Sequence, residues 1–140
     1  MEELSIRLII AVILGASMGL ERELAHKSAS MRTYALVSLG AALFVVVSQA
    51  LRITDPDIVF DASRITAGVI TGVGFIGAGL ILYQQSKLTG LTTATGLWVA
   101  AGIGVACGFK LYVLAMVATI LVLVIFTLFW FVENYFRKRK

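Results

Sequence analysis

The residues of this chain that could do chemistry sit in short charged segments between long apolar runs. The first is Gly19-Leu20-Glu21-Arg22-Glu23, followed after a short loop by Ser28-Ala29-Ser30-Met31-Arg32-Thr33. Carboxylates and guanidinium groups so placed can pair across a turn, close a pore, hold an ion or anchor a partner; Glu21 or Glu23 with Arg32 is the expected pair. The same charges also read as an interfacial ion pair that only fixes helix ends. Thr89, Thr92, Thr93 and Thr95 form a second group, whose hydroxyls can satisfy helix carbonyls or line a polar pocket. The third group is Asp55, Asp57 and Asp61. Mg²⁺ needs only one or two carboxylates plus retained waters, so these are the candidate metal ligands, although they also read as solvated loop acids. His26 and Cys107 are the sole residues of their types, and read as a solvated loop histidine and a small packing residue. No nucleophile has a matched base, and no phosphate-binding Gly-Lys motif occurs. Gly72-Val73-Gly74-Phe75-Ile76-Gly77 fits a dinucleotide pattern but lies inside an apolar run with no preceding strand. The expectation is a non-enzyme without a cofactor.

The elements that must carry these groups are membrane helices. Hydrophobic residues make up 59% of the chain and charged residues 14%, with a mean hydropathy of +0.95. A soluble domain carries about 25% charged residues, so too little polar surface exists here to cover a soluble core. Four uncharged runs, 33–51, 65–86, 88–109 and 111–132, reach or approach the ~20 residues that cross ~30 Å of hydrocarbon. A fifth, 8–20, is too short unless it draws in Arg7 or Glu21. The predicted fold is all-α: one membrane domain over residues 1–140, with helices at 4–23, 33–51, 65–84, 89–108 and 111–133 and a basic tail at 137–140. Asp55-Pro56-Asp57 has turn chemistry, and Ser63 is the expected cap of the third helix.

Five spans put Arg22, Lys27, Arg32, Lys87 and the four-residue basic tail on one side, against Arg7, Arg52, Arg64 and Lys110 on the other. The twofold excess makes the first side cytoplasmic, with the N-terminus outside and the C-terminus inside. Arg7 then falls at the outer edge, where its long side chain can reach water. The tail reads as a contact with anionic lipid, not nucleic acid. Small residues recur every four positions: Ala11, Gly15 and Gly19; Gly68 and Gly72; Gly96, Ala100, Gly104 and Gly108. They predict close packing of the first four helices, with the bulky fifth at the lipid-facing periphery. Arg22 continues the Gly15 face into the bundle. Gly15-Ala16-Ser17-Met18 and Gly77-Ala78-Gly79-Leu80 hint that helices 1–2 and 3–4 form a parallel repeat.

Across residues 15 to 108, ordered motifs resemble the MgtC/SapB family of bacterial inner-membrane proteins. They are Gly19-Leu20-Glu21-Arg22, Met31-Arg32-Thr33-Tyr34-Ala35-Leu36-Val37, Gly40-Ala41-Ala42-Leu43-Phe44, Arg64-Ile65-Thr66-Ala67, Gly72 through Gly79, Gly90-Leu91-Thr92-Thr93-Ala94 and Leu97-Trp98. The resemblance implies a five-helix inner-membrane domain with a periplasmic N-terminus, associated with growth under magnesium limitation and, in some pathogens, survival in macrophages. It further implies a regulator acting by protein contact, as on the F-type ATP synthase, rather than a magnesium carrier. Carried over by position, its functional residues are Glu21, Arg22, Arg32, Thr33, Arg64, Thr92 and Thr93. Gly68 stands where the family often has Gln, Thr89 where it often has Arg, and Thr92 where Asn is common. The chain is expected to lack the soluble C-terminal domain of some members. Two functional expectations follow: a membrane regulator of Mg²⁺ homeostasis that binds another membrane protein or a second copy of itself, or a small ion transporter using Glu21, Arg22 and Arg32.

Overall fold

The computed structural model describes residues 2–27, 29–55, 57, 59–84 and 87–137, with the side chains of 82–88, 133, 134 and 137 left out. Five helices form: α1 (Glu2–Leu24), α2 (Met31–Thr54), α3 (Ala62–Leu80), α4 (Leu91–Gly108) and α5 (Tyr112–Arg137). Each is long and apolar enough to cross a membrane. The third helix stops four residues before the end of the predicted 65–84 span. Strands β1 (Leu82–Gln84) and β2 (Lys87–Thr89) follow it as a small antiparallel hairpin that pairs Leu82 with Thr89. Gly90, at φ 82°, turns the chain into α4, and a Cβ there would collide with the Leu80 carbonyl oxygen. The basic tail expected at 137–140 lies largely outside the described residues.

Two turns use a left-handed residue that is not glycine. His26 (φ 55°) closes α1, with Lys27 N–H donating to Arg22 O and His26 N–H to Glu23 O, each at 3.0 Å. Lys110 (φ 65°) closes α4, with Leu111 N–H donating to Ala106 O at 2.8 Å and Lys110 N–H to Cys107 O at 3.0 Å. Both are Schellman closures. Gly108 therefore does not make the α4–α5 turn. Its missing side chain instead admits α2, since a Cβ would stand 2.6 Å from Val45 Cβ. The cap of α3 is Asp61 rather than Ser63: its carboxylate accepts from Ser63 N–H, Arg64 N–H and the Ser63 hydroxyl.

Helix α4 is the hub, packing against all four others, and α1 with α2 is the tightest pair. At the crossings α2 is gripped from both sides. A Cβ on Gly15 of α1 would stand 2.7 Å from Ser38 Cβ, and one on Gly104 of α4 would collide with the Ser38 carbonyl. Ala100, also on α4, is fully buried. Helix α3 departs from the expected tight four-helix core: 6% of its span is buried, against 22% for α5 and 61% for α4. A Cβ on Gly68 or Gly72 meets no atom within 4 Å, so these glycines pack against no helix of this chain. Glycine permits close approach but supplies no side chain to hold a neighbour. Helix α5 docks through the narrow stripe Ala115, Thr119, Val122 and Phe126 and exposes most of the rest.

Candidate functional site

One stripe of α1, Arg7–Ala11–Gly15–Met18–Arg22, is buried in the bundle, and arginine stands at both ends. Fifteen residues at 1.5 Å rise separate those arginines by about 22 Å along the axis, within the ~30 Å of hydrocarbon a helix must cross. Charge at that depth costs about 2.5–3.5 kcal/mol on insertion scales, so each arginine needs partners.

Arg22 is 4% exposed. Its Nε donates to Glu21 Oε2 at 2.5 Å, its guanidinium carbon lies 3.8 Å from the centroid of the Phe126 ring on α5, and Nη2 reaches the Phe126 carbonyl at 3.5 Å. Phe126 in turn fills the space that Gly96 leaves open on α4, beside the Tyr34 hydroxyl. Tyr34, fully buried on α2, donates to the Thr93 carbonyl at 3.2 Å. Four helices thus converge on one polar knot: Glu21 and Arg22 from α1, Tyr34 from α2, Thr93 and Gly96 from α4, Phe126 from α5.

The residues grouped from sequence separate into three sets. Glu21, Arg22 and Thr93 belong to the knot. Arg32 and Thr92 lie at the same end but are exposed, and Thr33, half-buried, donates its N–H to Ser30 O at 3.1 Å. Arg64 is exposed at the start of α3, at the other end of the bundle. The expected pairing with Arg32 does not form. Glu21 turns to its own neighbour Arg22, while Glu23 Oε2 accepts the Met31 N–H at 3.1 Å, capping α2 where Ser30 makes no side-chain bond. A carboxylate at a helix N-terminus satisfies an orphan N–H and meets the positive end of the dipole.

Arg7 also departs from expectation, being 4% exposed rather than in water. Its Nη1 donates to Gln49 Oε1 at 2.6 Å and to the Gly108 carbonyl at 3.1 Å, while Nη2 lies 3.8 Å from Glu3. Glu3 is also paired with Lys110. The carbonyls at the end of α4 carry the negative pole of that helix, so they can hold a cation inside the bundle. Together these bonds join the ends of α1, α2 and α4.

Asp55 Oδ1 accepts the Asp57 N–H at 3.1 Å, and Asp61 is occupied as the α3 cap. Bonds from the Ser63 hydroxyl and the Arg64 N–H hold the Asp61 carboxyl below the usual carboxylate range. Among the described residues no three His, Cys, Asp or Glu side chains come together as a metal-holding group. Tyr34, Phe126, Gln49 and Arg7 were missing from the sequence grouping. Arg7 carries a signal as the charge flanking a run too short to span, and Tyr34 lies within one of the family motifs.

The sequence matches the MgtC family over residues 8–135, nearly the whole chain. The chain belongs to the MgtC family. The Escherichia coli (strain K12) protein named "Putative magnesium transporter YhiD" is 42% identical over 130 residues, covering 91% of this chain and 60% of its own length. MgtC of Salmonella typhimurium (strain LT2) is 42% identical over 118 residues, 84% of this chain and 48% of its own. A Synechocystis relative is 39% identical over 119 residues, 85% of this chain and 49% of its own. The chain thus spans about half to three-fifths of the curated relatives it matches. No solved structure matches it significantly. With five membrane-length helices, it is a multi-pass bacterial membrane protein of the MgtC type.

Proposed function

We propose that this protein serves adaptation to low magnesium by binding another membrane protein at the end of the bundle that carries Arg32. The observation that carries the reading is a division of labour among its charges. Arg22 is consumed in pairing with Glu21 and holding α5 against α1, whereas Arg32 is exposed with no ion pair among the described residues. Tyr34 donating to Thr93 brings the starts of α2 and α4 side by side, so Arg32 and Thr92 share one end with exposed Met31 and Leu91. A cation beside apolar surface suits the acidic end of a partner's membrane helix. The magnesium link rests on the names of the relatives. The excess of basic residues supports a cytoplasmic position for this end, with the N-terminus outside.

The test uses a bacterial strain lacking its own MgtC-type proteins, grown at limiting Mg²⁺. Wild-type protein should restore growth and Arg32→Ala should not, with Arg32→Lys intermediate and all three present equally in the membrane. A photo-crosslinker in place of Thr92 should capture a partner that the Arg32→Ala chain loses. Mg²⁺ flux through purified protein in liposomes, abolished by Arg22→Met, would overturn the reading in favour of transport.

A further inference from the structure

Helices α2 and α3 diverge around an open groove of about 700 Å³. Its walls run from Leu36 to Ser48 on α2 and from Arg64 to Ile76 on α3. Gly40, Gly68 and Gly72 keep it wide, because no atom lies within 4 Å of where their Cβ atoms would be. Within the bilayer such a groove must be filled, by lipid or by another helix.

Its length separates the two. Twelve helical steps from end to end of each wall, at 1.5 Å rise, make it about 18 Å long. That is a little more than one leaflet's half of the ~30 Å hydrocarbon, whereas a membrane-spanning helix needs the full depth. Its polarity points the same way. The lining is apolar apart from Ser48 and Arg64, and both stand at one end, where α2 finishes and α3 begins. A phospholipid has this form: acyl chains about one leaflet long, with a charged headgroup at one end.

The charged end opens into a second chamber of about 290 Å³, which shares Ser48, Arg64 and Ile65 with the groove and adds Phe60 and Asp61. Arg64 is exposed and makes no ion pair among the described residues. A guanidinium group there can take a phosphodiester through two parallel N–H bonds. Asp61 accepts all three of its cap bonds on Oδ1, which leaves Oδ2 for a cation. The two opposite charges lining one chamber match a headgroup that carries both phosphate and ammonium.

We infer that the α2–α3 groove is a binding site for one aminophospholipid. An acyl chain lies along Gly40, Gly68 and Gly72, the phosphodiester sits on Arg64, and the ammonium group faces Asp61. Bound lipid supplies the packing that α3 lacks within the chain.

Native mass spectrometry of the full chain, released from a mild detergent and titrated with phosphatidylethanolamine or phosphatidylglycerol, tests this directly. One phosphatidylethanolamine should be retained per chain. Arg64→Gln should weaken retention of both lipids about tenfold or more. Asp61→Asn should erase the preference for the ethanolamine headgroup while leaving phosphate-dependent retention in place. Gly68→Leu with Gly72→Leu should block binding by filling the groove, and these side chains enter open space, so the helix content seen by circular dichroism should hold. Retention unchanged in the doubly filled variant would overturn the proposal. So would efficient disulfide crosslinking between two copies through Gly68→Cys, which would make the occupant a second chain.

Discussion

Arg22 is held by a carboxylate one residue away and by the face of an aromatic ring from the last helix. Removing one member of a buried pair leaves the other uncompensated, and the loss exceeds what the pair itself contributes. Arg22→Met should therefore lower stability by about 3 kcal/mol in a detergent unfolding titration. Glu21→Gln together with Arg22→Met should recover much of that loss, since no charge is then stranded. A double variant no better than Arg22→Met alone would show that the ring contact, not the ion pair, dominates. Tyr34→Phe is a gentler change: it removes one hydrogen bond to the Thr93 carbonyl, worth about 1 kcal/mol.

At the scale of elements, small residues do two different things on one helix. Gly104 and Gly102 are near neighbours on α4, yet a Cβ on Gly104 would strike the Ser38 carbonyl while one on Gly102 meets nothing within 4 Å. Gly104→Ala should force α2 and α4 apart and cost about 1–3 kcal/mol. Gly102→Ala should be neutral or stabilising by up to about 1 kcal/mol, through helix propensity alone. Equal thermal stability of the two variants would remove the close-approach explanation. Helix α3 depends on a different device, the Asp61 cap. A carboxyl whose folded pKa is depressed contributes stability that is present above its unfolded pKa and lost as pH falls through its folded pKa. The amides of Ser63 and Arg64 should accordingly exchange faster only under acid conditions below the usual carboxylate range, and Asp61→Ala should abolish that pH dependence.

At the scale of the molecule, the two ends are built alike, each with a buried arginine of α1 bonded to a carbonyl of a distant helix. They differ in what they expose. One end carries the aspartate loop, braced by the edge-to-face contact of Phe60 with Phe109; the other carries Arg32 and the helix-closing His26. Orientation can be measured with single cysteines in a Cys107→Ala background, Cys107 being fully buried. In intact cells, a membrane-impermeant thiol reagent should label Asp57→Cys and spare His26→Cys until the membrane is opened. The reverse pattern would invert the topology and move the proposed partner surface outside.

The sequence by itself determined the membrane, the spans and the family, because hydrocarbon thickness demands runs of about 20 uncharged residues and the family motifs lie in order along the chain. It also located Arg22 inside the bundle, since seven residues from Gly15 return a helix to the same face. The tertiary structure alone decided which charges pair. The sequence points Glu21 or Glu23 to Arg32, yet Glu21 pairs with Arg22, and Arg7 is buried only because Gln49 and the end of α4, 42 and 101 residues away, converge on it. It alone also decided that α3 buries so little of its surface and that Gly68 and Gly72 face open space. Hydropathy cannot draw that distinction, since an apolar side chain is equally at home against lipid and against another helix.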